Sequence, residues 1–311
     1  MRILFWGTPA FALPSLRALG EEGHEVVGVV TQPDRPAGRG RRLRPSPVKE
    51  LALQEGYPVL QPEVPRGEEF LAELRDLAPE LSVVVAYGHI LRREVLDLPP
   101  QGSLNVHASL LPRLRGAAPI HWAVLRGHPQ AGVTIMRMVE AMDAGPMLFQ
   151  AATPIGPKET VSELSVRLSE MGAGALMEAL ALLSVGGVVE TEQDHSQATL
   201  APKINRELAR IDWGRPAMEV ANWIRGLDSV PGAWSPLMGK AVKLFRPQVQ
   251  QGGYAGVPGE VMRADSTEGL VVATGSGAVM IGEVQPSGKA RMPVEAWLAG
   301  RGVEVGRRFG P

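Results

Sequence analysis

The sequence predicts an α/β protein, with a Rossmann-like, mostly parallel sheet in a first domain and a second, smaller β-barrel domain similar to an oligonucleotide-binding (OB) fold. The first observation is the length of 311 residues, which exceeds the usual size of one hydrophobic core. The second is an alternation of strand and helix patterns in the first half of the chain, which is typical of parallel sheets. The third is a series of short strand patterns with glycine-rich turns in about the last hundred residues.

The elements of the first domain, predicted to span residues 1–188, follow from hydrophobic periodicity. Strands are predicted at residues 2–6, 25–31, 81–86, 103–106, 133–139 and 147–152, and helices at residues 11–22, 68–77 and 162–183. The turn Gly7-Thr8-Pro9 is interpreted as a helix start that Thr8 caps. It has a single glycine, whereas a dinucleotide-binding turn needs several.

Composition changes after the long helix, which Gly186 and Gly187 end. The polar stretch that follows predicts a linker at residues 189–205 and a second domain at residues 206–311. In that domain, a helix is predicted at residues 219–227 and strands at residues 241–246, 259–263, 269–274 and 278–284.

Composition excludes several classes of protein. The Cys count of 0 excludes disulfides and thiolate metal sites, and the 6 histidines show no paired ligand spacing, so no metal is expected. No apolar run is long enough to span a bilayer, so no membrane partner is expected. The N-terminus begins directly with a strand pattern instead of a signal peptide, which predicts a cytoplasmic protein.

Positive charge is concentrated in one segment although the net charge is −1. Between Asp34 and Lys49 the chain carries the basic residues Arg35, Arg39, Arg41, Arg42, Arg44 and Lys49. Interspersed prolines and glycines predict that this segment forms no regular helix or strand over most of its length. Arginine presents a planar fork of donors that suits phosphate groups, so the loop is a candidate nucleic-acid contact, with a solvated surface loop as the alternative. The second domain adds 13 basic against 10 acidic residues from Arg206 onward.

Three side chains are candidates for acyl-transfer chemistry: Asn105, His107 and Asp143. Asn105 and His107 are two residues apart, so on a strand they share one face, at the carboxyl end where open α/β sheets bind ligands. An amide can stabilise an oxyanion, an imidazole can accept a proton, and a carboxylate can orient that imidazole. The alternative is structural: Asn and His often stabilise strand ends, and Asp-Ala-Gly-Pro is a common turn sequence.

Several motifs, in order over both predicted domains, resemble the methionyl-tRNA formyltransferase family. They are Gly7-Thr8-Pro9, the segments 31–40 and 45–49, Val85-Ala86-Tyr87-Gly88, Asn105-Val106-His107, Ser109-Leu110-Leu111-Pro112, the segments 115–120 and 132–136, Asp143 with Gly145, and Arg210-Ile211-Asp212-Trp213. Asn105, His107, the segment 109–112 and Asp143 resemble the signature of all enzymes that use 10-formyltetrahydrofolate. The arginine segment and the second domain resemble the tRNA-directed member. Ala108, Leu114 and His89 depart from residues common in the family, and we expect them to alter the local shape of the cleft.

The resemblance implies transfer of a formyl group from 10-formyltetrahydrofolate to the α-amino group of methionyl initiator tRNA. It implies that Asn105 polarises the formyl oxygen, that His107 handles protons and oxyanion charge, and that Asp143 positions His107 or a water. The implied folate-binding residues are Ser109, Leu110, Leu111, Pro112, Val84, Ala86, Tyr87, Gly88, Ile90 and Leu91. The implied tRNA-binding residues are Arg35, Arg39, Arg41, Arg42, Arg44 and Lys49. A monomer is expected.

Two alternatives remain open from the sequence. A 10-formyltetrahydrofolate hydrolase, or another folate-dependent formyltransferase, would share the three candidate catalytic residues. A hydrolase would not need the arginine segment. A non-enzymatic RNA-binding protein would retain RNA binding without folate turnover.

Overall fold

The computed structural model describes residues 1–37, 42–250, 252 and 256–310, and packing divides them into two units. The first unit comprises Met1–Gly116, Ala131–Thr153 and Ser165–Leu200. The second comprises Ala117–Gln130, Pro154–Leu164 and the chain from Ala201 onward. The units are therefore not continuous along the sequence, and the predicted domain limits at residues 188 and 206 stay a prediction.

The helices and strands of the first half of the chain alternate as predicted. Strands are β1 (Arg2–Gly7), β2 (Glu25–Val30), β3 (Arg35–Ala37), β4 (Arg42–Arg44), β5 (Val59–Leu60), β6 (Leu81–Val85), β7 (Ser103–His107), β8 (Gln130–Arg137) and β9 (Met147–Pro154). Helices of the whole chain are α1 (Leu13–Glu21), α2 (Pro47–Gln54), α3 (Glu68–Asp76), α4 (Arg93–Leu96), α5 (Pro119–Leu125), α6 (Val161–Ser184), α7 (Ala217–Gly226) and α8 (Val294–Ala299).

Seven strands form the sheet of the first unit, in the order β5-β2-β1-β6-β7-β8-β9. Pairing is parallel from β5 through β7 and antiparallel between β7 and β8. All residues of β6 are buried, as expected for an inner parallel strand that is covered on both faces. The prediction of a mostly parallel sheet is confirmed, and the carboxyl ends of β1, β6 and β7 meet at one edge.

The arginine segment is more regular than predicted. β3 and β4 pair as an antiparallel ribbon, with Arg35 opposite Arg44 and Pro36 opposite Leu43. The expectation of an irregular segment was wrong for these residues, because both strands of an isolated ribbon are edge strands, where the missing N–H of proline is tolerated. Helix α2 follows directly, and the Ser46 side chain caps it by accepting a hydrogen bond from the Lys49 N–H at 3.0 Å.

The second unit is built around an antiparallel sheet. Its strands are β10 (Trp234–Leu237), β11 (Lys240–Gln250), β12 (Val261–Asp265), β13 (Gly269–Ala273), β14 (Ala278–Pro286) and β15 (Met292–Pro293), in the order β10-β11-β14-β13-β12 with β15 on β14. Alternating apolar residues of these strands form one core, which also contains Ile224 of α7 and Trp213, which precedes that helix. Helix α5 packs in this unit, where the rings of Trp122 and Trp223 lie 6.5 Å apart, edge to face.

The C-terminal tail links the two outer strands of this sheet. The Gly310 N–H donates to the Pro236 carbonyl at 2.9 Å, and the Phe309 N–H donates to the Gly259 carbonyl at 2.8 Å. The tail also accepts from β12, through a hydrogen bond of 2.8 Å from the Val261 N–H to the Arg307 carbonyl. The sheet thus closes on itself, in agreement with the predicted β-barrel. In the described part of the chain, no helix is both long and apolar enough to cross a membrane.

Candidate active site

Strand β7 brings two of the predicted catalytic residues to the edge of the sheet. Asn105 pairs with Val84 of β6 and with Met136 of β8, and His107 ends the strand. Both side chains lie on the same face because they are two residues apart on a strand. The half-buried Asn105 amide forms no hydrogen bond with any residue of the described ranges. Its donor and acceptor therefore remain available to a substrate.

One ring nitrogen of His107 is hydrogen-bonded, and the other faces a carboxylate. Its side chain is 6% exposed, and Nε2 lies 3.1 Å from the Leu114 carbonyl oxygen. A carbonyl can only accept, so Nε2 carries the proton in the neutral ring. Nδ1 then carries the lone pair and lies 3.7 Å from Oδ1 of Asp143. A proton taken up at Nδ1 would therefore form an ion pair with the Asp143 carboxylate.

The Asp143 carboxylate is fixed by the chain around it. Its Oδ2 accepts a hydrogen bond of 2.7 Å from the Gly116 N–H. The residue itself has φ 49°, in the left-handed region that Asp tolerates better than most side chains. Two residues on, a Cβ at Gly145 would lie 2.1 Å from the Arg137 carbonyl oxygen, so only glycine fits. The sequence Asp-Ala-Gly is therefore both a turn and the support of a carboxylate that faces His107.

The structure thus brings His107 and Asp143 together and places Asn105 on the same strand face. This arrangement offers a donor for a developing oxyanion, a ring nitrogen that can accept a proton, and a carboxylate that stabilises the charged ring. Their catalytic roles stay predictions.

Thr134 of β8 holds the turn Ser109 to Pro112 on the sheet through hydrogen bonds, which we call the latch of the turn. The sequence did not indicate this role of Thr134. The Thr134 hydroxyl donates to the Ser109 carbonyl at 2.6 Å and accepts from the Leu111 N–H at 3.2 Å. Gln150 of β9 donates to the same hydroxyl and to the Leu111 carbonyl, both at 2.9 Å. Ser109 and Leu111 are buried, whereas Leu110 and Pro112 are half-buried. Polar residues of β8 and β9 thus set the position of the predicted folate-binding turn.

The end of β6 is shaped by positive φ angles, at Ala86 (50°) and Gly88 (90°). Between them, the Tyr87 carbonyl accepts hydrogen bonds from the Thr8 hydroxyl at 2.9 Å and from the Gln32 amide at 3.1 Å. Thr8 was predicted to cap a helix, and this was wrong: its hydroxyl binds Tyr87, and a 3-10 turn at Ala10–Ala12 with Pro9 at its N-cap precedes α1.

The predicted folate-binding residues of this segment divide into two sets. Ala86, Gly88 and Ile90 are exposed, and the side chain of Ile90 is 85% exposed. Val84, Tyr87 and Leu91 are buried in the core of the unit. Surface residues can contact a ligand directly, and the buried ones support the surface from below. Folate binding by either set stays a prediction.

Tyr87 and His89 carry buried polar atoms without hydrogen-bond partners among the described residues. The Tyr87 ring packs edge to face on Trp6 at 5.2 Å, its hydroxyl has no hydrogen-bond partner in the described part of the chain, and burial raises its pKa to about 12. The ring of His89 lies 5.7 Å from that of Tyr87, and its Nε2 is likewise buried without a partner in the described ranges. His89 as a whole is half-buried, between the exposed residues Gly88 and Ile90.

The predicted tRNA-binding residues differ in their surroundings. Arg39 and Arg41 lie outside the described residues, and the backbone of Arg42 belongs to β4. Arg44 is exposed, and Arg35 is exposed while donating to Gln32 at 2.8 Å. Binding of tRNA by any of them stays a prediction.

Lys49 does not present a free charge. Its ammonium lies 2.9 and 3.0 Å from the two carboxylate oxygens of Asp34, which also accepts from Gln61. The hydrogen bond from Gln61, followed by that from Lys49, lowers the pKa of Asp34 below its usual value. Lys49 thus anchors the base of the arginine ribbon. Among the described residues, no three or more His, Asp or Glu side chains cluster as metal ligands would.

Comparison with protein families gives two matches. The model described as "Formyl transferase" matches residues 1–180, and the model described as "Formyl transferase, C-terminal domain" matches residues 203–302. Among curated proteins, the methionyl-tRNA formyltransferase of Geobacter sulfurreducens is 47% identical over 310 residues, covering 100% of this chain and 97% of that protein. The methionyl-tRNA formyltransferase of Symbiobacterium thermophilum is 49% identical over 312 residues, covering 100% of this chain and 96% of that protein.

Solved structures share the fold at lower identity. HypX from Aquifex aeolicus, in complex with tetrahydrofolic acid, matches with a TM-score of 0.66 and 24% identity, covering 96% of this chain. The present chain spans about half the length of HypX, 47%. The sugar 3N-formyl transferase WlaRD matches with a TM-score of 0.66 and 17% identity, covering 93% of this chain and 99% of that protein.

Proposed function

We propose, because this chain belongs to the methionyl-tRNA formyltransferase family, that it transfers the formyl group of 10-formyltetrahydrofolate to the α-amino group of methionyl initiator tRNA. The product would be formylmethionyl-tRNA for translation initiation. The observation that carries the proposal is the geometry at the end of β7, where the Asn105 amide, which has no hydrogen-bond partner among the described residues, lies on the same strand as His107, which faces Asp143.

The reaction follows from these groups. The neutral α-amine attacks the formyl carbon, and the carbonyl electrons move to oxygen, where the Asn105 N–H can stabilise them. The amine then loses a proton, which Nδ1 of His107 can accept because Asp143 stabilises the resulting imidazolium. Collapse of the tetrahedral intermediate re-forms the carbonyl and breaks the bond between carbon and N10, and the proton passes to N10 of the leaving tetrahydrofolate.

The folate is expected to lie against the exposed rim formed by Ala86, Gly88 and Ile90, with the turn Ser109 to Pro112 beside it. Glycine is required at position 88 of this rim, because its φ is positive and a Cβ there would lie 2.8 Å from the Gln32 amide nitrogen. The turn is held by three hydrogen bonds to Thr134 and Gln150, which are themselves joined by a fourth, so it is pre-organised for binding.

The arginine ribbon is the feature that supports an RNA acceptor. Arg35 and Arg44 face each other across the β3–β4 pair, so their charges are concentrated at one place on the surface. Contacts of arginine with phosphates release counterions and give salt-dependent affinity. We further propose that the enzyme acts as a monomer, because all the candidate catalytic residues lie in one unit of one chain. We also propose that it acts in the cytoplasm, because its proposed product serves translation initiation.

One assay tests the proposal against its alternatives. The protein is incubated with 10-formyltetrahydrofolate and methionyl initiator tRNA, and formylmethionine released from the tRNA is measured by mass spectrometry. Uncharged tRNA and free methionine are the controls for the acceptor. Formate without formylmethionine would indicate a hydrolase, and RNA binding without any folate turnover would indicate a non-enzymatic protein.

A further inference from the structure

The segment from Gln193 to Thr199, predicted as part of a linker, packs beside the candidate catalytic residues in the first unit. Gln193 is 4% exposed although its neighbours on both sides are exposed. A long polar side chain is rarely buried unless its hydrogen bonds are satisfied. The groups to which the Gln193 side chain is hydrogen-bonded therefore indicate why it is buried.

Gln193 holds the loop that carries the candidate carboxylate. Its Nε2 donates to the carbonyl of Asp143 at 3.0 Å and to the carbonyl of Gly145 at 2.8 Å. Its Oε1 accepts from Nη2 of Arg115 at 2.6 Å and from Nε at 3.2 Å. Both amide protons and the amide oxygen are thus engaged, and the two donated bonds hold the carbonyls on either side of Ala144, directly after the left-handed φ of Asp143.

Thr199, at the other end of the segment, holds the partner of His107. Its hydroxyl accepts from the Leu114 N–H at 2.9 Å, and its carbonyl accepts from the Arg115 N–H at 2.8 Å. The Leu114 carbonyl in turn accepts the hydrogen bond from Nε2 of His107. One short segment therefore fixes the groups on both sides of the imidazole.

We propose that Gln193 is a positioning residue, which keeps the Asp143 carboxylate opposite Nδ1 of His107 for the proton transfer of the formyl transfer reaction. The inference rests on the proposed function for its kinetic consequence. It acts through Asp143: without the two amide donors, the backbone at Asp143 loses its external support and the carboxylate loses its fixed distance to the ring. Small displacements of a catalytic group have large effects on rate.

Two substitutions distinguish the hydrogen bonds that the Gln193 amide donates from those that it accepts. Gln193→Met is close in size and removes all its hydrogen bonds. Gln193→Glu keeps an acceptor for Arg115 but places an oxygen against the carbonyls of Asp143 and Gly145. We expect kcat of both variants to fall about 10- to 100-fold with the KM of either substrate changed less than about twofold. The matched control is Gln197→Met, on an exposed glutamine of the same segment.

A double-mutant cycle with Asp143→Asn distinguishes positioning from general support of the fold. If Gln193 acts through Asp143, adding Gln193→Met to Asp143→Asn should lower kcat by less than about twofold more, whereas independent effects would multiply. Independent effects, or full activity of folded Gln193→Glu or Gln193→Met, would overturn the inference.

A readout without substrates keeps the inference separate from the proposed function. In ¹⁵N-histidine NMR spectra, the ring signals of His107, assigned by their loss in His107→Asn, should shift in Gln193→Met and not in Gln197→Met. Unchanged His107 signals in both variants would contradict positioning even if the wild-type chain catalysed another reaction. A wild-type chain that makes no formylmethionine would instead contradict the proposed function alone.

Discussion

Nε2 of His107 donates to the Leu114 carbonyl oxygen at 3.1 Å, and this single bond decides which ring nitrogen can accept a proton. With Nε2 protonated, the basic nitrogen is Nδ1, on the side of Asp143. The nitrogen that faces Leu114 is therefore the protonated one. When the ring takes up a second proton, it does so at Nδ1, beside the Asp143 carboxylate.

The first prediction concerns that carboxylate. Asp143→Asn should keep the hydrogen bond from the Gly116 N–H through its amide oxygen and remove the negative charge, so kcat should fall about 10²- to 10⁴-fold. Single-turnover formylation of methionyl-tRNA measures the effect. Asp76→Asn, at the exposed end of α3, is the control and should keep its full rate. An unaltered rate in Asp143→Asn would remove Asp143 from the mechanism.

The second prediction concerns the oxyanion donor. Asn105→Ala should lower kcat about 10²- to 10³-fold, the usual loss when one such donor is removed. Because the amide has no partner in the described part of the chain, the free energy of unfolding should change by less than about 1 kcal/mol. Steady-state kinetics and urea denaturation of the same samples test both statements. A large loss of stability with normal kcat would assign Asn105 a structural role.

The third prediction concerns the latch of the turn Ser109 to Pro112. Thr134→Val keeps the shape of the side chain and removes a buried hydroxyl with three hydrogen bonds, so it should destabilise the protein by about 1–3 kcal/mol. The KM for 10-formyltetrahydrofolate should rise as the turn loosens. Thr134→Ser retains the hydroxyl and should lose much less in both measurements. A larger loss in Thr134→Ser than in Thr134→Val would show that the methyl group, not the hydroxyl, matters.

The fourth prediction is a pH dependence of stability from Tyr87. Its pKa is raised to about 12 in the folded protein, whereas an unfolded tyrosine titrates near ~10. Between these values the folded state binds more protons than the unfolded state, so the free energy of unfolding falls as pH rises, by about 2 kcal/mol at pH 12. Tyr87→Phe lacks this group, so its stability should exceed that of the wild type increasingly from about pH 10 upward. Parallel pH curves for the two proteins would rule the effect out.

The fifth prediction concerns the arginine ribbon. Arg44→Gln should raise the KM for methionyl-tRNA, and it should reduce the slope of log affinity against log salt by about one if Arg44 contacts one phosphate. The KM for the folate should stay unchanged. Arg75→Gln, at a cation paired with Glu68 on α3, provides the control. A loss of tRNA affinity in the control alone would place the RNA elsewhere.

The sequence predicted the elements that position Asn105 and His107, because long apolar strand patterns and their glycine and proline boundaries are local signals. Only the residue types indicated the pairing of His107 with Asp143, because β8 is antiparallel to β7 and ends opposite Leu104, at the start of that strand. The shortest elements, such as α4 and β5, have too few residues for a periodic pattern. Gln193 and Thr134 could not be found in this way, because a polar residue in a polar stretch or a buried strand gives no local sign of the distant carbonyls it binds.

For the arginine ribbon, the prediction from sequence failed for a different reason. Its prolines and glycines argue against regular structure in a sheet interior, but a two-stranded ribbon has no interior. The sign of charge was readable from the sequence, whereas the pairing of Arg35 with Arg44 depended on a register that composition does not encode.

The tail that joins β10 to the region of β12 has a consequence for self-association. Without residues 306–310, Leu237 and Gly259–Val261 would expose unpaired N–H and C=O groups along two strands. Open strands of this kind are templates on which another molecule can add its own strand. Residues 306–310 therefore cover strand edges on which other molecules could pair. A variant without these residues should aggregate, and light scattering that rises with protein concentration should be the first sign of it.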